Sequence, residues 1–491
     1  MKKLNVYCLQ STVSALLLER VPTLDASDDA QKSTALSIVN QFRWLDVSSE
    51  DSALLDKFLE VIGIVDPALQ DAMIAFLPEV TTTDDQADRV GAYLLDRLEE
   101  DSAFCASVIE TTPSLCISGD VRDRVCLKVL DHLRAVEASE VGKVARFVLE
   151  NASAATAAEV VGSLREGLSL VDARDPRRRI PDRTGKGKGK KSERTPEQDL
   201  VSAVRSALRC KPEAIGHYLN FLKKLGAGRG RGRAAGSAEG TPSCCTLDVW
   251  VLVVLLSFGG DRAAQARQAF QRKVCAGQLS HGVVARSIKG HCDCLEEFFP
   301  SLLSLAAHLL RCNAVEASRA GVGLYCVLFE CFPEARHRQD CLGELVAHLG
   351  GGCPQETSNA LGCLARIARE MLDALRPFAS YLAALLDHVD AFEGAQAREL
   401  FWVIGEVLEP DQGEPSGSGS QGSRRGSRLE DEVHITIRKQ MSSDSPRYFR
   451  TGVVGSLALL ARRERGIESC HNPSRRTKEV CVSLGRIFRV S

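Results

Sequence analysis

The sequence predicts an all-α protein: an extended helical-repeat α-solenoid of the HEAT or armadillo kind, with disordered loops. Three observations predict it. Apolar residues recur at three- and four-residue spacing along most of the chain. Short polar turns, such as Thr81-Thr82-Thr83-Asp84-Asp85, separate these segments. No β-type alternation and no Rossmann-like glycine fingerprint interrupts them. Helices of this length joined by short turns bury their apolar faces by stacking as antiparallel pairs. No clean repeat consensus recurs, so the repeats are degenerate.

Composition agrees. A chain of 491 residues suits two to four ordinary domains or one long solenoid. Hydrophobic residues make up 44% and aromatics only 5%, so Ala, Val and Leu dominate the cores. That palette favours close helix–helix packing over β-sandwiches. The net charge of -2 excludes a polycation, so any nucleic-acid contact comes from local patches or from a partner. The 18 cysteines are scattered through helical patterns, as at Cys126, Cys326 and Cys363, and read as free buried thiols in a reducing compartment.

The elements follow in order. The start, MKKLNVYCLQSTVSALLLERV, imitates a signal peptide, but Gln10, Ser11 and Thr12 break its apolar run and no small-residue cleavage site follows; it reads as a helix. Leu54, Leu55, Phe58, Leu59 and Ile62 trace a helix with Asp51 and Ser52 supplying its cap. Further helices are marked by Tyr93, Leu94, Leu95 and Leu98, by Val121, Val125, Leu127, Val129 and Leu133, by Val144, Phe147 and Val148, and by Val160, Val161, Leu164 and Leu168. Together these form an N-terminal helical-repeat region, 1–171.

Residues 172–198 form a basic linker. Its core, RDPRRRIPDRTGKGKGKKSER, sets ten Lys/Arg against three acids, a local charge of +7. Such a segment cannot bury a core and reads as disordered. Arg177, Arg178, Arg179, Lys186, Lys188, Lys190 and Lys191 are its candidates for nuclear localisation or phosphate-backbone contact. A central helical region is expected over 199–410, interrupted by a Gly/Arg-rich loop at 226–243. Within it lie Leu302, Leu303, Leu305, Leu309 and Leu310, then Leu324, Val327 and Leu328. The longest strongly apolar run, Val249 to Leu256, is far too short to span a bilayer, so the chain is expected to be soluble and intracellular, without a membrane partner. A Gly/Ser-rich linker over 411–428 precedes a helical segment, 429–463, with Ser427 as its cap and Glu430, Asp431 and Glu432 in its first turn. Residues 464–491 are an unassigned tail.

Catalytic motifs are missing. There is no GxxxxGK[ST], HExxH or GxSxG pattern, and no paired CxxC. The sharpest metal candidate is His291-Cys292-Asp293-Cys294, with His281 nearby. On a helix Cys292 and Cys294 point in different directions, and no second knuckle completes the set. No metal, no cofactor and no catalytic residue are therefore expected.

On a helical wheel with Val433 at zero, Ile437 falls near roughly 40° and Met441 near roughly 80°, which makes one apolar face. Lys439 falls near roughly 240°, away from that face, with Ile435 on its side near roughly 200°. An apolar side chain there points to a covered surface. Geometry alone makes Lys439 an ordinary solvated lysine.

Several stretches resemble Fanconi anaemia group D2 proteins: IVNQFRWLD (38–46), MIAFLPEV (73–80), ARFVLENASAATAAEVVGSLREGLSL (145–170), SLLSLAAHLL (301–310), GLYCVLFECF (323–332), LVAHLGGG (345–352) and ALGCLARIA (360–368). The most specific is DEVHITIRKQMSSDSPRYFRTGVVGSLALL (431–460). The resemblance implies that the lysine of its Ile437-Arg438-Lys439-Gln440 motif receives ubiquitin from an E2 and a RING-type E3 of the Fanconi core complex. It implies an α-solenoid that pairs with the group I protein, closes around double-stranded or branched DNA, and serves interstrand crosslink repair in the nucleus as a non-enzymatic scaffold. Isopeptide formation needs a deprotonated amine, so the E2 must supply a suitable environment for an ordinary lysine. The resemblance is expected to end near Ala461, and the family's long carboxy-terminal half has no counterpart here, which reads as a fragment or truncated product. The Gly/Arg loop near Arg229 is no feature of that family. Ser442, Ser443 and Ser445 form a polar helix end open to phosphorylation.

Three rivals remain open: the paralogous group I protein, which the Ile-Arg-Lys-Gln-x-Ser-Ser string disfavours; an importin-like adaptor, which would carry Trp/Asn ladders where only Trp44, Trp250 and Trp402 occur; and a zinc enzyme built on His291, Cys292 and Cys294.

Overall fold

The structure, a computed structural model, describes residues 12–24, 28–42, 52–168, 195–225, 243–351, 353–408 and 421–468. Among these every regular element is a helix, so the all-α expectation holds. The chain divides into two compact units, Met1–Thr241 and Pro242–Ser491.

The first unit contains α1 (12–20), α2 (Asp29–Gln41), α3 (Ser52–Ile62), α4 (Pro67–Val80), α5 (Asp84–Glu100), α6 (Cys105–Thr111), α7 (Gly119–Asp131), α8 (Val141–Asn151), α9 (Ala157–Leu168), α10 (Pro196–Cys210) and α11 (Pro212–Lys224). Helices pack on their neighbours and next-but-one neighbours: α2 and α6 on α4, α5 on α7, α7 and α10 on α8, α9 on α11. That ladder is how helical repeats build a continuous core from units that could not bury their faces alone.

The sequence explains the individual helices. In α3, Leu54, Leu55, Phe58 and Ile62 are buried and Leu59 is half-buried, as the spacing predicts. The Thr81–Asp85 turn closes α5 chemically: Thr83 and Gln86 form a reciprocal capping box, with Asp84 and Asp85 at the positive end of the helix dipole. Thr195 and Gln198 repeat the device at α10. After the basic segment, α10 and α11 pack back onto α8 and α9. The approach is tight where a Cβ on Gly142 would lie 3.2 Å from the Asp199 carbonyl oxygen.

The second unit contains α12 (Thr246–Ser257), α13 (Gly260–Cys275), α14 (His281–Lys289), α15 (Cys292–Leu295), α16 (Phe299–Leu310), α17 (Val315–Cys331), α18 (Ala335–Gly350), α19 (Pro354–Glu370), α20 (Leu372–Leu375), α21 (Ala379–Leu386), α22 (Gly394–Val407), α23 (Gln421–Met441) and α24 (Pro446–Glu468). A spine of contacts runs α12–α14–α17–α19–α22–α24. α12 is buried on every side from Thr246 to Leu256. In α17, Leu324, Val327 and Leu328 are buried as expected, and so are Tyr325, Cys326 and Phe329. The described cysteines are free thiols. Burial pushes Cys126 and Cys331 up to about 12, which keeps both thiols protonated at neutral pH.

One boundary differs from expectation. α23 begins at Gln421, so Ser427 lies within the helix and is not its cap, and Glu430 to Glu432 lie beyond the first turn. Once a helix is nucleated, each added residue gains a hydrogen bond, and Ser or Gly costs at most about 1 kcal/mol against Ala. Similarly α24 continues to Glu468, past the expected end at 463. The seven basic candidates from Arg177 to Lys191, the Gly/Arg residues 226–242 with Arg229, residues 409–420, the Asp51 cap, Trp44 and the tail 469–491 lie outside the described residues. No described helix is long and apolar enough to cross a membrane.

Candidate functional site

The site is a helical hairpin. α23 packs on α21 and α24, and α24 also packs on α22. Leu429, Val433 and Ile437 recur every fourth residue along α23 and are all buried. They form the anchoring face the wheel predicts, with Met441 half-buried at its end. Gln440 is buried on that face as well. Its Nε2 donates to Oδ1 of Asp390, in the 3₁₀ turn Val389–Ala391. The wheel places Gln440 beside Val433, near roughly 340°, so its burial was available from sequence. Its partner Asp390 was not.

The C-terminal turn is closed by the Ser442 N–H donating to the Arg438 carbonyl at 2.9 Å and the Ser443 N–H to the Gln440 carbonyl at 3.3 Å. The Ser445 N–H then donates to Ser443 Oγ at 3.3 Å, and Pro446 opens α24 at a position where a missing N–H costs nothing. Arg447 of α24 donates from Nη2 to the Phe392 carbonyl at 3.5 Å, tying the hairpin to the same loop that holds Gln440.

Lys439 projects from the opposite side. It is exposed, and it makes no hydrogen bond or ion pair among the described residues. Arg438 beside it is exposed too, and both cations sit in the last turn, where they complement the negative end of the helix dipole. One turn earlier Ile435 leaves 63% of its surface bare. On the flank, His434 Nε2 stands 3.7 Å from Glu430 Oε1. The arrangement offers a primary amine on a firmly seated helix beside an uncovered apolar side chain. It holds no base that touches the amine among the described residues, so any deprotonation is left to whatever approaches.

The metal candidates do not come together. Cys292 Sγ donates to the Ile288 carbonyl at 3.3 Å and Cys294 Sγ to the His291 carbonyl at 3.1 Å. His291 packs edge-on against Trp250, with centroids 4.7 Å apart. His281 packs against Gly323, leaving no room there for a Cβ. Among the described residues the one group able to offer three ligand atoms to a metal is instead Glu296, Glu334 and His337, two exposed carboxylates and a half-buried imidazole that no sequence motif marks.

The family profile described as "Fanconi anaemia protein FancD2 nuclease" matches residues 2–484. The chain belongs to the Fanconi anaemia D2 family. The match runs past Ala461, where the sequence resemblance was expected to end; the carboxy-terminal part of the hairpin is thus family sequence as well. Among relatives, the Fanconi anemia group D2 protein of Gallus gallus is 23% identical over 461 residues, covering 93% of this chain and 31% of the relative. The Mus musculus homolog is 22% identical over 490 residues, covering 97% and 32%. The chain therefore spans about a third of the length of these D2 relatives. A solved assembly, described as a homology model of the full-length AP-3 complex in an intermediate open conformation, aligns over 96% of this chain and 83% of its own at 8% identity and a TM-score of 0.30, and carries no argument here.

Proposed function

We propose that this D2-family chain is a non-enzymatic DNA-repair scaffold of the Fanconi pathway that receives a single ubiquitin on Lys439. The observation that carries the reading is the setting of Lys439 within the family match. Its neighbours Ile437 and Gln440 are buried and fixed, while Lys439 itself is exposed and unpaired among the described residues. A donor thioester can reach an amine so placed without unfolding anything. Ile437, Arg438 and Gln440 complete the acceptor motif: two seat the helix, and Arg438 lies on the approach side.

The modifying enzymes are an E2 and a RING-type E3 of the Fanconi core complex. The partner is the group I protein, with double-stranded or branched DNA held by the pair during interstrand crosslink repair. The bare side chain of Ile435 beside Lys439 supports a protein surface covering this face, because an exposed isoleucine gains most when a partner removes it from water. The basic segment containing Arg177, Arg178, Arg179, Lys186, Lys188, Lys190 and Lys191 directs nuclear import or contacts phosphates, in keeping with a nuclear location. The scaffold reading rests on the lack of a catalytic motif in the sequence.

Reconstituted ubiquitination with E1, E2, the Fanconi E3, group I partner and duplex DNA tests this. Wild type is expected to gain one ubiquitin and Lys439→Arg none. Equal modification of both removes Lys439 from the proposal.

A further inference from the structure

Lys439 stands one residue before Gln440 and two before Met441, and both of these are held by other elements of the fold. Gln440 is 4% exposed and donates to the Asp390 carboxylate. Met441 lies against Gly452 of α24, where a Cβ would come within 2.6 Å of Met441 Cγ, 2.9 Å of Met441 N and 3.2 Å of Gln440 Cβ. One turn further, Ser456 Oγ lies 3.4 Å from Met441 Sδ and donates to the Gly452 carbonyl at 2.9 Å. Helix ends ordinarily fray. Here the last turn of α23 is gripped on one side by a buried amide–carboxylate contact and on the other by a helix that approaches as closely as a glycine permits.

We infer that Gln440, Asp390 and Gly452 are positioning residues for Lys439: they hold the last turn of α23 so that its amine meets the ubiquitin thioester in one place. The inference rests on the reading of Lys439 as the acceptor. In the transfer the Lys439 nitrogen attacks the thioester carbonyl, the new C–N bond forms as the C–S bond breaks, and the amine proton leaves with the departing thiol. None of the three residues touches these atoms. They act through the helix, and displacing a reacting group by a fraction of its bond-forming distance slows such a step steeply.

The test is single-turnover transfer from charged E2 to the full chain in its reconstituted complex. Gly452→Ala forces α24 and the end of α23 apart. Gln440→Glu sets one carboxylate against another, and adding Asp390→Asn restores an amide–carboxylate pair with its members exchanged. Each single variant is expected to slow transfer roughly tenfold or more. The loss should fall on the maximal rate rather than on the half-saturating concentration, at an assay temperature where each variant, though lowered in melting temperature, is still folded and binds the group I protein. The Gln440→Glu/Asp390→Asn pair should regain the wild-type rate, and a Gln440→Glu chain still fully folded at the assay temperature separates lost positioning from lost folding. Wild-type rates in Gly452→Ala and Gln440→Glu overturn the inference, and so does a Gln440→Glu defect that the exchange fails to rescue. A Lys439→Arg chain modified as fast as wild type sinks the acceptor reading itself, whatever the positioning variants do.

Discussion

α12 and α23 belong to the same unit and are built on opposite plans. α12 is apolar all round, with every residue from Thr246 to Leu256 buried, and its one indole is satisfied by donating to the Ser287 carbonyl at 3.0 Å. α23 buries a single stripe, Leu429, Val433, Ile437 and Gln440, and leaves Ile435, Arg438 and Lys439 in solvent. A helix enclosed on all sides can do little except hold its neighbours together. A helix seated on one stripe can carry chemistry on the other, provided the stripe is strong enough to keep it still. The stability of the unit and the presentation of Lys439 should therefore come apart under mutation.

The largest effect should be at the enclosed helix. Trp250→Ala removes a buried indole and orphans the Ser287 carbonyl, and should cost about 3–5 kcal/mol in urea or thermal unfolding. A loss under about 1 kcal/mol would mean that α12 is not the centre of this unit. Next comes the seating stripe. Ile437→Ala should cost about 2–4 kcal/mol, because Ile437 is fully buried against α24. If the helix is only loosely seated, the cost falls towards that of a surface substitution and the comparison collapses.

A third prediction concerns the polar interior between the spine helices. His348 is fully buried; Tyr325 Oη lies 3.0 Å from its Nε2, and its Nδ1 lies 2.5 Å from the Glu356 carboxylate, which also accepts from Arg311 Nε at 3.1 Å. Burial pushes the Glu356 carboxyl up, but the contacts with His348 and Arg311 together hold it below its ordinary value of 4.5. A carboxyl depressed in the folded state contributes stability that is present above its unfolded pKa and lost as pH falls through the folded one. Wild type should therefore lose stability more steeply below about pH 4.5 than Glu356→Gln does, while at neutral pH the variant should be weaker by about 1.5–3 kcal/mol. Parallel pH profiles for the two would show that the contact contributes nothing.

The sequence makes the two plans unequally legible, for physical reasons. Amphipathic helices announce their buried face by spacing, so Leu54, Phe58, Val433 and Ile437 could be assigned to cores without coordinates. α12 could be read as helical and apolar, but a stretch apolar on all sides carries no direction, and what encloses it is a tertiary fact. The start of α23 is hidden in the sequence because Gly and Ser suggest a linker, although a nucleated helix tolerates both. The exposure of Lys439 was legible through the wheel, while the acceptor role proposed for it rests on its motif. The grip on its helix was not, because Asp390 is remote in sequence from the stripe and nothing in the local context of Gly452 names the side chain it accommodates.

The smallest expected effect is the most discriminating. Ile435 is exposed on the Lys439 side of α23 and packs on little within its own unit. Ile435→Ser should therefore shift the stability of the isolated chain by no more than about 0.5 kcal/mol, in contrast to Ile437→Ala two residues away. If the bare face is where a partner sits, the same substitution should weaken association with the group I protein, measured by titration, while the melting curve stays put. A stability loss comparable to that of Ile437→Ala would show that Ile435 is covered by this chain's own residues, and the open face would then be smaller than the structure gives it. Unchanged stability with unchanged partner affinity would leave the face open but place the partner elsewhere, so that Lys439 would be reached across bare solvent rather than at the edge of an interface.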